Sequence, residues 1–177
     1  RIKRVSGILG RFLQIYALLA VVPVLVAFFY SEPFSNAAYF LVTSAVSLFS
    51  GSFLAYFGDA DEPSVKDAII ATVGGWILAV IIGAIPLTSY MVPLDAVFES
   101  MAGFTTTGIS LLAEPSQLSH SMLFWRSFTQ WIGGLGILTF FIAVIRESGG
   151  ASQRLFSAEA HKTDAGSIRP SLTKSII

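Results

Sequence analysis

Cysteine is absent from these 177 residues, which excludes a disulfide-stapled secreted module and any thiolate metal site. Charge is scarce: Asp, Glu, Lys and Arg make up 12% of the chain, about half of the ~25% usual in a soluble domain. Acid and base balance at eleven residues each, so no basic stripe is available for phosphate contacts and nucleic-acid binding is not expected. There are two histidines, His120 and His161. They lie far apart in sequence without carboxylates at ligand spacing, so neither is read as a metal ligand and no cofactor is expected. What is abundant is apolar surface: 54% of residues are hydrophobic and mean hydropathy is +0.72, which excludes a disordered chain.

The apolar residues come in long charge-free windows. Residues 12–30, 33–58, 68–94 and 127–145 hold 19, 26, 27 and 19 residues without Asp, Glu, Lys or Arg. A bilayer core of ~30 Å takes roughly 20 residues of helix, so each window is long enough to span. A soluble bundle would show a polar face on every helix. The basic start (Arg1, Lys3, Arg4, Arg11) before an apolar run suggests a signal peptide. The run is long for one, however, and no small-x-small site precedes Ser31-Glu32-Pro33. Pro23 is expected to kink the first span, and Ser64, closing the polar turn Gly58–Ser64, to cap the third.

A fifth window behaves differently. Ser100 to Ala113 holds 14 residues between Glu99 and Glu114, too short to cross and of the length of a re-entrant segment. Its lead-in, Asp95 to Ala102, is good helix material with Asp95 suited to the N-cap. Phe104-Thr105-Thr106-Thr107-Gly108-Ile109-Ser110 is β-branched and contains glycine, which disfavours continuing that helix and favours an extended stretch. The order is therefore span, span, span, short helix, extended stretch, span. The expected fold class is an all-α membrane protein: two N-terminal transmembrane helices, then one transmembrane helix–pore helix–filter–transmembrane helix repeat. The expected divisions are 1–63 for the helix pair, 64–146 for the repeat and 147–177 for a cytoplasmic tail.

Ten of the eleven basic residues fall at the amino end, in the 58–67 loop or after Ile145, and none in 31–36 or 85–121. The positive-inside rule then places both termini in the cytoplasm and the short helix on the outer side.

Lipid leaves no partner for unpaired backbone groups, so an extended segment at membrane depth must be buried in protein or line a watery path. A short helix directing its C-terminus into the membrane favours a cation there. The residues after it, Thr105, Thr106, Thr107 and Gly108, can aim main-chain carbonyls at the ion, with Gly108 tolerating unusual φ and threonine hydroxyls satisfying neighbouring amides. Carbonyl dipoles without a carboxylate ring suit K⁺, held through the carbonyls of Thr106 and Thr107. The competing reading is an ordinary threonine-rich external loop.

Asp95-Ala96-Val97-Phe98-Glu99-Ser100 leading into Gly103-Phe104-Thr105-Thr106-Thr107-Gly108, with Phe124-Trp125-Arg126-Ser127 and Gln130-Trp131-Ile132-Gly133-Gly134-Leu135-Gly136-Ile137, resembles the Trk/Ktr/HKT superfamily of potassium transporters. The likeness is closest to the bacterial Trk membrane subunit, and Arg154-Leu155-Phe156-Ser157-Ala158-Glu159-Ala160 is similar too. The resemblance implies four concatenated membrane–pore–membrane repeats around one ion path, each supplying a filter strand with a glycine matched here by Gly108. It implies K⁺ uptake across the inner membrane, a homodimer of the full-length protein and a cytosolic nucleotide-binding regulatory subunit. One repeat is present, so the chain is expected to be an N-terminal fragment ending where a second repeat begins. The alternative function is a non-transporting membrane subunit or scaffold.

Glu99 and Arg126 are the ionisable residues near the outer half of the repeat, with Arg126 at the start of the last span. Intramembrane charges are costly and are usually paired or functional, so the two are expected to pair and brace the filter, against the alternative that Arg126 snorkels to headgroups. Gly133-Gly134-Leu135-Gly136 lacks dinucleotide-loop spacing and lies within a span, which favours close helix packing. Neither GxSxG nor HExxH occurs, and no nucleophile–base set lies within the spans, so an enzyme is not expected.

Overall fold

The computed structural model describes the backbone of residues 1–59 and 64–147, with side chains through 139 except at position 65. Positions 60–63 of the polar turn, the tail from 148 onward, His161 and the 154–160 segment lie outside the described residues. Two compact units are distinguished, Arg1–Leu138 and Thr139–Ile177. The described part of the second is the end of one helix.

Six α-helices form the described chain: α1 (Ile2–Leu19), α2 (Val22–Phe29), α3 (Phe34–Tyr56), α4 (Val65–Gly83), α5 (Pro93–Phe104) and α6 (His120–Glu147). Short 3₁₀ turns at Pro86–Ser89 and Pro115–Gln117 flank α5. α1 and α2 are one span broken at Ala20–Val21. The break precedes Pro23, which sits in the first turn of α2, where its missing N–H costs no helical hydrogen bond. Among the described residues, three stretches are long and apolar enough to cross a membrane: Ile2–Phe29, Phe34–Tyr56 and Lys66–Ser89. The chain is thus an all-α membrane protein. α6 has 28 residues, or about 42 Å at ~1.5 Å per residue.

Side-chain contacts fix the directions. α1 and α3 run antiparallel: the Ser6 hydroxyl donates to the Leu54 carbonyl at 2.7 Å, and the Ser44 hydroxyl donates to the Ala17 carbonyl at 2.8 Å. Between them, a Cβ on Gly10 would stand 2.5 Å from the Ala55 nitrogen, an approach only glycine allows. α4 runs parallel to α1. Arg1 and Arg4 lie 3.3 and 3.5 Å from Asp67 at one end, and the Tyr16 hydroxyl donates to the Ala79 carbonyl further along. Ser64 and Asp67 form a reciprocal capping box at the start of α4. α6 returns antiparallel to α4, with Trp125 Nε1–H donating to the Gly83 carbonyl at 3.1 Å and Gly136 against the Trp76 ring. The 30–34 and 84–119 segments therefore share one end of the bundle, while Arg1, Asp59 and Asp67 share the other.

The core is aromatic at its centre. Tyr16 meets Phe104 and Trp125 at ring-centroid distances of 5.9 and 6.2 Å, and Phe40 meets Trp125 at 5.9 Å. α1, α3, α5 and α6 thus share one core. Outside, Phe28, Phe29, Phe49 and Tyr56 are each more than three-quarters exposed, whereas Thr43, Ser47, Ser100 and Thr129 are buried. So much exposed apolar surface suits lipid as the surrounding solvent.

Candidate functional site

α5 begins at Pro93 with Val92 at its N-cap, not at Asp95. Proline pre-sets the first helical φ, and Asp95 falls in the first turn, where its charge favours the helix dipole. The helix ends at Phe104, and Thr105 continues near-helical at φ −85°, ψ 0°. The chain then reverses: Thr106 takes φ +58° and Gly108 φ +74°. The residues read as extended form a tight closure instead. Thr106 N–H donates to the Gly103 carbonyl at 2.9 Å, and Thr107 N–H to the Ala102 carbonyl at 3.1 Å, the pair of bonds of a Schellman motif with threonine where glycine is usual. A β-branched residue in the left-handed region is a genuine outlier, and such strain concentrates at functional sites.

The closure sorts the peptide groups. Amides of Thr105 and Gly108 also donate back, to the Met101 and Ala102 carbonyls. All four amides from 105 to 108 are thereby spent on the end of α5. Among the described residues no donor meets the carbonyls of Thr105, Thr106, Thr107 or Gly108, and all four residues are exposed. The threonine hydroxyls do not serve neighbouring amides: Thr105 donates to the Met101 carbonyl at 2.8 Å and shares a 2.8 Å hydrogen bond with Thr107. A Cβ on Gly108 would meet nothing within 4 Å, so glycine there answers to φ rather than to space.

Behind this loop stands a charged cluster. Arg126 Nη2 and Nε donate to Glu99 Oε1 at 2.6 and 3.0 Å, and Nη2 also donates to Ser110 Oγ at 3.1 Å. Ser110 Oγ–H donates to Glu99 Oε1 at 2.9 Å, and Leu111 N–H to Glu99 Oε2 at 3.0 Å. Leu112 N–H donates to Ser110 Oγ at 3.1 Å. The Glu99 and Arg126 side chains are 3% and 19% exposed, so the pair is largely withdrawn from solvent and each partner compensates the other's desolvation. Because α6 starts at His120, Arg126 lies nearly two turns inside the helix rather than at its start. A small cleft with room for about one water molecule lies beside Gly108, bordered by Glu99, Gly103, Arg126, Thr129 and Gln130.

The other end of the loop rests on the glycines of α6. A Cβ at Gly133 would stand 2.2 Å from the Phe104 carbonyl oxygen, so this glycine run provides close packing.

Two groupings were not evident from residue spacing. One is Asp67 with Arg1 and Arg4, foreshadowed by the S-x-x-D pattern of a capping box. The other surrounds Glu32. Ser31 at φ +51° turns the chain so that Glu32 faces the start of α6. Its carboxylate accepts from the Ser121 N–H at 3.0 Å and the Ser121 hydroxyl at 2.5 Å, with Asn36 donating at 3.3 Å. His120 joins this grouping: Nδ1 lies 3.7 Å from Glu32, and its ring stacks on Tyr30 at 4.0 Å.

Partial burial pushes the Glu32 carboxyl up, but hydrogen bonds from the Ser121 hydroxyl and amide, Asn36 and the His120 backbone outweigh it and hold it below the usual carboxylate range. A depressed carboxyl stabilises the fold above the ordinary glutamate pKa of about 4.3, and loses that contribution as pH falls through its own lower value. Thermal melts in detergent should therefore show wild type losing its advantage over Glu32→Gln on acidification below about pH 4. A constant gap between the two proteins down to pH 3, roughly one unit below the ordinary value, would contradict this.

Among the described residues no group of three or more His, Cys, Asp or Glu is placed to hold a metal ion. A short helix, a reversed loop and, among the described residues, three stretches long and apolar enough to cross a membrane define a membrane protein. Residues 35–176 match the family model described as "TrkH: Cation transport protein", and the chain belongs to that family. It is 36% identical over 171 residues to the "Uncharacterized cation transporter MJ1485" of Methanocaldococcus jannaschii, covering 91% of this chain and 34% of that protein. It is 30% identical over 163 residues to "Trk system potassium uptake protein TrkH" of Escherichia coli (89% and 33% covered). Its identity to "Trk system potassium uptake protein TrkG" of the same organism is 29% over 164 residues (89% and 33%). The chain spans about a third of the length of these curated relatives.

Proposed function

We propose that this chain supplies the first quarter of a carbonyl-lined selectivity filter in a potassium-uptake protein of the cell membrane. Residues 105–108 turn their carbonyls to the ion, and K⁺ is held through those of Thr106 and Thr107. The observation that carries the reading is the sorting of peptide groups: four amides are consumed by the end of α5, while among the described residues no donor meets the four carbonyls. Oxygen dipoles without a nearby carboxylate ring replace the hydration shell of a large monovalent cation. Glu99 and Arg126 support the loop and do not touch the ion. The relatives named as potassium uptake proteins point to the same cargo.

In this reading residues 1–63 form an N-terminal helix pair, 64–146 the first of four repeats with α6 as its closing span, and 147–177 a cytoplasmic tail leading to the second repeat. Both termini of the chain are cytoplasmic, and the loop end of the bundle faces outward from the inner membrane. The full-length protein is a homodimer partnered by a cytosolic nucleotide-binding regulatory subunit.

The test is Rb⁺ or K⁺ uptake by the full-length protein in a transport-deficient cell, with and without Gly108→Asp. An L-residue at φ +74° costs about 1–2 kcal/mol, roughly tenfold in occupancy of the native loop, and the carboxylate adds a charge at the ion path. Uptake should be abolished at unchanged membrane protein level. Uptake with unaltered selectivity in Gly108→Asp would refute the filter, and no uptake by wild type would favour a non-transporting subunit.

A further inference from the structure

Glu32 belongs to the turn between α2 and α3, outside the repeat that carries the loop, yet its carboxylate closes the first turn of α6, 89 residues away. A helix start presents unpaired N–H groups and a partial positive charge, and a carboxylate placed there satisfies both. Of the neighbouring donors, Met122 N–H is served locally by Ser119 Oγ at 3.3 Å, and Ser119 N–H donates to the Tyr90 hydroxyl at 3.4 Å, 29 residues away. Glu32 is thus the long-range hydrogen-bonded tie, beside the Tyr30–His120 ring stack, between the start of α6 and the N-terminal helices. Arg126 stands five residues further along the same helix, about 7.5 Å at ~1.5 Å per residue. From there it grips Glu99 and Ser110, at the exit of the loop.

We infer that Glu32 is a positioning residue for the ion-coordinating loop: by anchoring the start of α6 it sets the depth at which Arg126 holds Glu99 and Ser110, and so the placement of the carbonyls at 105–108. The groups facing it are the Ser121 hydroxyl and amide, Asn36 and His120, none of which touches the loop. Of these, Ser121 and His120 belong to α6, the helix that carries Arg126. This rests on the filter reading above, since it assigns residues 105–108 the ion.

The experiment uses the full-length protein with Glu32→Ala, and with the milder Ser121→Ala, which removes the hydroxyl but keeps the backbone donor. Two quantities are read at matched membrane protein level. The first is Rb⁺ uptake, separated into KM and maximal rate, together with Na⁺ competition. The second is the labelling rate of Ile109→Cys by a membrane-impermeant maleimide in a background free of other cysteines. This chain contributes none, and Ile109 is 59% exposed. A displaced loop raises KM several-fold and weakens discrimination against Na⁺, with the maximal rate changed less. It also shifts the Ile109→Cys labelling rate several-fold, more in Glu32→Ala than in Ser121→Ala. If Glu32→Ala does not reach the membrane, Ser121→Ala alone decides.

Unchanged KM, selectivity and labelling would overturn the assignment, as would a fall in maximal rate alone. If wild type takes up no ion, the filter reading fails by itself, and the labelling arm still shows whether Glu32 sets the loop.

Discussion

Replacing Glu99 with alanine should bring uptake close to background and lower the thermal midpoint of the full-length protein, and Arg126→Ala should do nearly as much. Removing one member of a buried pair leaves the other charged and uncompensated, at a cost of about 3–5 kcal/mol. Here the loss is compounded, because Glu99 also accepts from Ser110 and from the Leu111 amide. Without that acceptor the Leu111 N–H also loses its partner, a further loss of about 0.5–1.5 kcal/mol. The same bonding ranks the less drastic variants. Glu99→Gln keeps an acceptor for Leu111 and should retain more uptake than Glu99→Ala. The exchanged double variant Glu99→Arg/Arg126→Glu restores the ion pair but not the acceptor, so it should recover only part of what either single change loses. Wild-type uptake by Glu99→Ala, or an exchanged variant no better than the singles, would dismiss the pair as a brace for the loop.

The second large effect is expected at a single methyl group. Gly133→Ala places a Cβ 2.2 Å from the Phe104 carbonyl oxygen and 2.8 Å from its carbon. Both are backbone atoms, so no side-chain rotation relieves the overlap. Either α6 or the end of α5 must move, at the upper end of the roughly 1–3 kcal/mol usual for overpacking. Because Phe104 directly precedes the loop, the displacement also reaches Thr105 and Thr106. Gly134→Ala is the internal control. Its Cβ meets nothing nearer than the Thr106 methyl at 3.9 Å, an ordinary contact, and alanine favours the helix over glycine by about 1 kcal/mol. Adjacent glycines should therefore give opposite outcomes: loss of uptake and a lowered melting midpoint at 133, little change or a small gain at 134. Equal tolerance at both positions would show that the close approach is absent in the membrane.

How far residues announced these features differs from case to case. The spans were legible because lipid demands long charge-free helices, and the break before Pro23 because a missing N–H acts locally. The short α5 was legible from its length and from the change of residue type at Phe104. Glu99 and Arg126 stood out because charge is so scarce that few partners were possible. The conformation of 105–108 was not legible: β-branched residues favour extended backbone, and the left-handed Thr106 is held against that preference by bonds to Ala102 and Gly103. The start of α5 was misplaced because Asp95 is a good cap by type, whereas Pro93 sets the first turn by geometry. Glu32 was hidden for a different reason. Its partner lies 89 residues away, a separation at which no local pattern carries information.

Both ends of the reversed loop fasten to one rod. Phe104 lies against Gly133, and Ser110 is gripped by Arg126, seven positions earlier on α6. Seven residues are two turns, a rise of about 10 Å fixed by helix geometry. The gap between the two attachments is therefore independent of how far neighbouring helices drift apart. In the proposed filter, the oxygens between those anchors would then move with α6 and not with its neighbours. A monovalent ion would then meet the same gauge while the surrounding membrane protein flexes.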